Sequence, residues 1–558
     1  MLLPNLDLLA TAPGGVARLR ELILTLAVQG KLVPQDPADE PASVLLQKIR
    51  AEKDRLIAKG KSKRDKPLAK IAEGEQPFEL PQGWEWVRLG EITNYGTTTK
   101  VERLQPDTWV LDMEDIEKSS GRLLQRLRFA ERPALSDKNC FFAGDVLYGK
   151  LRPYLNKVLV ADEDGVCTTE IIPFHCYGDY VPQYFRLVLS SPFFLEYVNA
   201  RSYGMKMPRL GTEDARKSLI PLSPLAEQSR IVTRVEELMR LCDALETKGQ
   251  LEAAQHAQLV STLLGTLTAS TTPEDLADHW QRVAQHFDLL LDRPEAIDAL
   301  EQTLVQLAVR GLLVPQDPAD EPASTLLARI RAEKDRLIVE GRIKRDKPLP
   351  PIAKDEQPFG LPTGWEWARL DSIFQVITDG DHLPPPVSEA GIAFLTIGNI
   401  SSGVLNFDGC RLVPQDYFDD IAEYRRPAKG DILYTVVGAS YGRAVVVETD
   451  RSFCVQRHIG ILKPSVQVNL QYLATLLGSQ LIYEQATRSL TGTAQPTVGI
   501  RPLRNFLAPL PPLAEQSRIV TRITALRRLC ADLRQRLKAA QVIQSHLAQA
   551  LVESSNCL

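Results

Sequence analysis

Eight cysteines are scattered along 558 residues, and no two of them form a CxxC pair. This argues against a disulfide framework and against a zinc site of ordinary spacing. Several follow apolar residues and are expected to pack as small hydrophobes. No apolar run approaches the roughly 20 residues that a membrane helix needs. The start, "MLLPNLDLLA", lacks the basic stretch of a secretory leader, so a cytoplasmic protein with no membrane contact is expected. An excess of one charge is missing too. The net charge is −4, so any nucleic-acid contact must come from local basic patches.

Catalytic motifs are equally scarce. There is no GxSxG elbow, HExxH zinc helix or GxGxxG fingerprint. The segment "GDVLYGKL" (144–151) comes close to a phosphate-binding loop. It fails where Leu151 replaces the magnesium-holding hydroxyl, and its interior is bulky and strand-like. An Asn-Pro-Pro-aromatic or Asp-Pro-Pro-Tyr motif of an amino methyltransferase is also lacking; "DHLPPP" (381–386) has neither the order nor the aromatic. These absences, with only seven histidines, point to a binding scaffold.

What is present is a duplication. "LVPQDPADEPAS" occupies 32–43 and returns at 313–324. Residues 31–92 align with 312–373 without a gap and agree at 45 of 62 positions, too many for convergent packing solutions. The match extends upstream, from "LRELILTLAVQGKL" (19–32) to "LEQTLVQLAVRGLL" (300–313). A second block, "PLSPLAEQSRIVTR" (221–234), returns as "PLPPLAEQSRIVTR" (509–522). The inserts between blocks, about 93–219 and 374–507, differ far more than their flanks. Only the stretch near 270–295 lacks a counterpart and reads as a linker.

The frame reads as helical. "PASVLLQKIRAEKDRLIAKG" spaces Val44, Leu45, Ile49, Leu56 and Ile57 helically, with Gly60 as C-cap. From Ile519 a heptad seam runs through Ile523, Leu526, Cys530, Leu533, Leu537, Ala540, Leu547 and Leu551, broken at Gln544. The first copy runs through Ile231, Val235, Leu238, Cys242 and Leu245. Gly249, Glu252 and His256 interrupt it before Leu259 and Leu263. Ser223 and Pro224 suit a cap and a first helical residue. Each helix of about 40 residues is roughly 60 Å long. Such helices either pack on their own domains or pair, antiparallel, as a spacer; the narrow seam favours pairing. The inserts read as mixed α/β. "KVLVAD" (157–162) and "CTTEIIPF" (167–174) are predicted strands in the first, and "GDILYTVV" (430–437), "RAVVVETD" (443–450) and "CVQRHIGIL" (454–462) in the second. Aligned on Cys167 and Cys454, the two inserts share apolar positions but set "TTE" (168–170) against "VQR" (455–457). Neutral loop drift or two readers with different targets would give this pattern; tightly kept flanks favour the readers.

The repeated "PLxPLAEQSRIVTR", the "LAVQGKLVPQDPADEPAS" stretch and "LPQGWEWVRL" before an insert resemble the specificity subunit of type I restriction-modification enzymes. "LRPYLNK" resembles one class of that family's target recognition domains. The resemblance covers nearly the whole chain. It implies an α+β fold: two similar mixed α/β recognition domains separated by long antiparallel coiled-coil helices, with an internal pseudo-twofold. The implied segments are a helical repeat region (1–80), a first recognition domain (81–222), a central helical spacer with the second repeat (223–360), a second recognition domain (361–510) and a C-terminal spacer helix (511–558). It further implies a non-catalytic subunit in which each domain reads one half of a bipartite, asymmetric double-stranded DNA target. Two methyltransferase subunits would dock on the helices and endonuclease subunits would join. S-adenosylmethionine, ATP and magnesium would belong to those partners.

Direct readout needs forked donors and acceptors on loop tips. In the first insert these are Lys150, Arg152, Tyr154, Asn156 and Lys157, with Lys206 and Arg209 of "YGMKMPRL" for phosphates. In the second they are Asp379, His382, Tyr441, Arg443, Gln456, Arg457 and His458, with Thr493, Gln495 and Arg501 of "TGTAQPTVGIR". Near-neutral inserts predict weak DNA affinity for the subunit alone, and leave open a scaffold that binds two polypeptides instead. The acidic "LVPQDPADEPAS" is expected to bridge two helices and to face a protein partner, since its carboxylates would repel phosphate.

Overall fold

A computed structural model describes residues 6–61, 67–100, 104–132, 138–270, 272–345, 349–382, 385–492 and 495–556. Helices and small, mostly antiparallel sheets make an α+β fold. Its contacts divide into two compact units, 1–252 with 540–558, and 253–539. Among the described residues no helix is long and apolar enough to cross a membrane. All seven described cysteines are free thiols, and five of them are buried.

The duplication reappears element by element. Helix Gly15–Val28 and helix Pro294–Val309 open the two frames, and Ala42–Ala58 and Ala323–Val339 follow. Each "GWEW" then forms a strand, Glu85–Arg88 or Glu366–Arg369. These pair antiparallel with Leu219–Leu222 and Leu507–Leu510, the strands that lead into the long helices Leu225–Ala269 and Leu513–Asn556. The chain therefore leaves and rejoins each frame at one two-stranded stalk. An insert can change its interior without moving the frame, because both of its ends are fixed to one another.

A buried carboxylate ties each frame together. Glu227, in the first turn of its long helix, is 1% exposed. It accepts from Trp84 Nε1 at 2.9 Å and from Gln35 Nε2 at 3.1 Å. Glu515 accepts from Trp365 at 2.9 Å and Gln316 at 3.1 Å in the same way. The helix N-terminus adds a favourable dipole. Burial pushes both carboxyl groups above their ordinary pKa, and the indole and amide donors pull them part of the way back. Gln35 and Gln316 also donate to the carbonyls of Gly30 and Gly311 at 2.6 Å. These two glycines have φ of 68° and 72°, and a Cβ would lie 2.5 and 2.4 Å from the rings of Pro81 and Pro362. Asp39 and Asp320 complete the clamp through forked pairs with Arg230 and Arg518. The "LVPQDPADEPAS" loop thus spends its Gln and its second Asp on its own long helix.

The start of each long helix is held differently from the expected serine cap. The helix begins at Leu225, and Gln228 folds back to donate to the Ser223 carbonyl at 3.0 Å. Gln516 does the same to Pro511 at 2.9 Å, where no hydroxyl is present.

The seams agree with expectation over their first halves only. Ile231, Val235 and Cys242 are buried in one core with Ile23 and Ala27 of the first frame. Cys530, with Leu526, Leu533 and Leu537 against it, packs with Ile297, Leu300 and Leu304 of the second. Beyond that the buried line moves on by one residue. Leu259 and Leu547 are 51% and 52% exposed, whereas Val260 and Ala548 are buried. A one-residue advance in a four-three pattern lengthens its period, which unwinds the supercoil locally and turns a new face inward. Gln544 therefore interrupts nothing, because the apolar line has already left its register.

The stretch near 270–295 is not a linker. Pro273–Gln285 is a helix capped by Thr272, whose hydroxyl accepts from Asp275 N, and it buries Val283 in the second unit's core. Phe287–Leu290 corresponds to Leu6–Thr11: "DLL" stands at 7–9 and again at 288–290. Leu9 and Leu290 are both buried, each in the core that receives the late half of a long helix. The duplication thus begins earlier than the stronger matches suggest.

One ion pair is inverted between the copies. Arg20 meets Asp243 at 2.6 Å and Glu246 at 3.2 Å. At the equivalent sites Glu301 meets Arg534 at 3.2 Å; Arg527, 3.3 Å from Glu301, and Asp298, 2.5 Å from Arg534, add to the pair from positions held by Met239 and Ala17 in the first copy. Each short helix would face like charge on the other copy's long helix, so the inversion sorts two frames whose apolar contacts are otherwise alike.

Two outcomes follow. Trp84→Phe should lower the unfolding free energy by about 1–3 kcal/mol, since it leaves a buried carboxyl short of a donor; chemical denaturation reads this. Arg20→Glu should destabilise by about 1 kcal/mol, and Arg20→Glu with Glu246→Arg should restore most of it. A double variant no better than the single one would remove the sorting role.

Candidate nucleic-acid interface

Each insert builds one three-stranded and one four-stranded sheet, and the second adds a two-stranded one. In the first insert Val146–Gly149 lies between Val158–Val160 and Ile171–Phe174. Trp109–Leu111 runs parallel to Gly165–Thr168 in the other sheet. In the second, Ile432–Thr435 lies between Ala444–Val446 and Ile459–Pro464, and Ile392–Leu395 runs parallel to Phe453–Val455. "CTTEIIPF" is therefore two strands in two sheets, broken at Thr169 and Glu170, which lets the chain cross between them. The register also corrects the alignment by one residue. Leu111 pairs with Cys167 and Leu395 with Val455, while Lys150 N and Val436 N donate to the carbonyls of Glu170 and His458. Thus "TTE" faces "QRH" (456–458), not "VQR".

Three loops meet in each insert. The loop after the central strand covers 150–157 in the first and 436–443 in the second. The crossover covers 168–170 or 456–458. The third is a hairpin, 203–209, matched in the second insert by the paired strands Leu490–Thr491 and Thr497–Val498. Arg152 N donates to the Pro208 carbonyl at 2.7 Å, and Leu151 bridges to Arg209. Gly438 N donates to the Pro496 carbonyl at 3.0 Å, and Val437 bridges to Thr497. The same backbone cradle thus presents different side chains in the two halves. "YGMKMPRL" and "TGTAQPTV" are one hairpin, a match visible in the Gly-to-Pro spacing of 204–208 and 492–496 that composition hides.

In the first insert Arg152, Tyr154 and Lys206 are exposed and Lys150 is half-buried. Arg209 is held by Glu170, with Nη2 and Nε at 2.9 and 3.0 Å from its oxygens. Two expected readers face inward instead. Asn156 is buried and donates its amide to the Ser190 carbonyl at 3.0 Å. Lys157 donates to the Met113 carbonyl at 2.6 Å, and burial lowers its pKa against the pull of nearby Asp115 and Glu114. Both hold the loop in place. Exposed Tyr203, Met205 and Met207, which forked-donor reasoning passes over, crown the hairpin.

Arg152 and Asn156 have φ of 49° and 50°. Their equivalents are Gly438 and Gly442, with φ of 82° and 89°. Asn tolerates this left-handed geometry; arginine stores strain of about 1 kcal/mol there. An exposed arginine where the other copy has glycine points to its guanidinium, not its backbone, as the reason for its presence.

In the second insert Arg443, Arg457 and Gln495 are exposed, and Gln456 and His458 are half-buried. Burial first, then adjacent Arg457, lowers the His458 pKa, so the ring is neutral near pH 7. Asp379 accepts from Arg425 at 2.9 Å and pairs with His382 Nε2 at 2.9 Å. Asp381 accepts from the Tyr417 hydroxyl at 2.5 Å and bridges to Gln456, which sets the Asp379–His382 loop beside the crossover. Arg443 Nη1 donates to the Ser401 carbonyl. Tyr441 stacks on Tyr483 at 5.3 Å and shares a hydrogen bond with Thr487 at 3.0 Å. Arg501 is exposed on the short helix Ile500–Asn505, after the hairpin. Thr493 lies outside the described residues. Among the described residues no cluster of His, Cys, Asp and Glu could hold a metal ion.

Comparison with known proteins decides the family. Residues 362–541 match the model of the type I restriction modification DNA specificity domain. The EcoAI type I restriction enzyme specificity subunit of Escherichia coli is 36% identical over 97% of this chain and 94% of its own. The EcoEI specificity subunit of the same organism is 38% identical over the same shares. The chain belongs to the specificity subunits of type I restriction enzymes. A specificity subunit recognises the DNA target of a type I system and is not its catalytic component. Among solved structures, a chain of a type I restriction-modification system is 20% identical, with TM-score 0.48 over 86% of this chain and 99% of that one. The HsdS subunit from Thermoanaerobacter tengcongensis is 21% identical, with TM-score 0.39 over 86% and 98%.

Arg152→Gly separates fold from recognition. The loop should keep its conformation and gain up to about 1 kcal/mol of stability. Specific DNA binding by the assembled complex should weaken about tenfold. Unchanged binding would remove Arg152 from the surface.

Proposed function

We propose that each three-loop face reads one half of a bipartite, asymmetric DNA target, and that the long helices, paired antiparallel, set the gap between the halves. The carrying observation is one backbone cradle built twice on near-identical frames with unlike side chains. In the first half the readers are Lys150, Arg152 and Tyr154, with Lys206 on a phosphate and Arg209 released from Glu170 when DNA competes for it. In the second they are Asp379, His382, Tyr441, Arg443, Gln456, Arg457, His458 and Gln495, with Arg501 at the margin. The recognition domains span 81–222 and 361–510, joined by helical regions over 1–80, 223–360 and 511–558. Two near-identical frames fit two copies of one methyltransferase subunit, with endonuclease subunits added to that core.

A helical ruler suits this task, since readers must face grooves about one or more 34 Å turns apart. Mapping of methylated bases in a host carrying this subunit and its methyltransferase should show two short half-sites around an unread gap. A single continuous motif, or no methylation, would overturn the reading. Gln456→Ala should relax one position in one half only, by about 1–3 kcal/mol, whereas Lys206→Ala should weaken all sites alike and reduce the salt slope by about one.

A further inference from the structure

The first hairpin carries apolar side chains where a soluble surface has least use for them. Met205 is 103% exposed, Tyr203 62% and Met207 45%, and Tyr154, on the neighbouring loop, is 50% exposed. The hairpin is not a loose tip. Tyr203 and Arg209 bond to each other through both backbones, at 3.1 and 2.9 Å, and the neighbouring loop is tied to it through Arg152 and Leu151. The matching hairpin of the second insert is polar at its described positions: Thr491, Gln495 and Thr497 stand at the sites of Tyr203, Met207 and Arg209. A contiguous exposed apolar group of this kind marks a contact surface. Its setting identifies the partner: Lys206 stands between the two methionines, and Arg152 and Lys150 occupy the loop bonded to the hairpin. An apolar tip inside a cationic rim fits a duplex, whose phosphates meet the rim and whose base steps receive the tip.

We propose that Met205 and Met207 form a wedge that inserts against a base step of the half-site read by the first insert, partly unstacking it. Methionine is unbranched and polarisable, and side chains of this class are the ones that enter base steps and bend DNA. The second insert, with its polar hairpin, reads its half without such a distortion. The two halves of the target therefore differ in mechanism: the first contributes deformability as well as base edges, so positions at the wedged step are selected by ease of unstacking. The wedge rests on the recognition reading above.

The test uses the assembled complex of this subunit with its methyltransferase, on a duplex carrying the mapped target. 2-Aminopurine is placed in turn at the purine positions of each half-site other than the mapped methylated purines and their neighbours, since a methyltransferase flips its own target base out of the stack. Fluorescence should rise at least about twofold at one step of the first half and at none of the second. The variant Met205→Ala with Met207→Ala should abolish that rise and weaken specific binding about tenfold, with non-specific binding at low salt unchanged. Met205→Leu with Met207→Leu, which keeps an apolar tip, should retain the rise. A wild-type complex that binds its target with no rise in the first half overturns the wedge and leaves recognition standing. So does an alanine variant that no longer co-purifies with the methyltransferase, since the tip would then be a protein-docking surface. A complex with no sequence preference overturns both.

Discussion

A single buried carboxylate at the first turn of each long helix holds each half together. Glu227 and Glu515 sit where the helix dipole favours negative charge, yet removal from water penalises them, as their raised pKa values record. The penalty is tolerable only while an indole N–H and an amide N–H both reach the two oxygens. Those donors come from segments more than a hundred residues away in sequence. Satisfying the carboxylate therefore brings together the Pro-rich loop, the "GWEW" strand and the long helix in one arrangement. This is why a loop with three prolines and three acids is kept letter for letter in both copies: its Gln and Asp are parts of a lock, and its glycine neighbour leaves room for a proline ring.

From that lock follows the freedom of the inserts. Because the strand before each insert pairs with the strand after it, the frame feels only the closed stalk. The three loops can change while the lock is untouched. The pair Arg152 and Gly438 illustrates how far the freedom extends: one backbone conformation carries either a strain-free glycine or a strained arginine. The inverted ion pairs of Arg20 and Glu301 answer the hazard that duplication creates. Two frames with the same apolar face could exchange helices, and opposite charges at matching sites make that exchange unfavourable.

Much was legible in the linear chain. The duplication, the frame helices, the variable inserts and the family all lay in strings long enough to be compared by eye. Misreadings fell where a pattern could be satisfied by two registers. "CTTEIIPF" has the apolar content of one strand, but nothing local tells Thr169 and Glu170 to cross between sheets. The seam after Leu537 offered Leu547 on one line and Ala548 on the next; the larger residue looked the better choice, although the smaller one is buried. Asn156 has a reader's side chain, but the left-handed backbone and the nearby Ser190 carbonyl turned it inward.

By itself, then, the sequence determined that this protein is one frame written twice around two unlike inserts, because identity over tens of residues survives without coordinates. It determined also that the chain resembles a specificity subunit, for the motifs are contiguous. Only the tertiary structure decided which loops share a face, since residues 152, 170 and 208 converge through backbone hydrogen bonds between distant strands. Only it showed that "YGMKMPRL" and "TGTAQPTV" are one hairpin, because there the backbone is shared and the side chains are not.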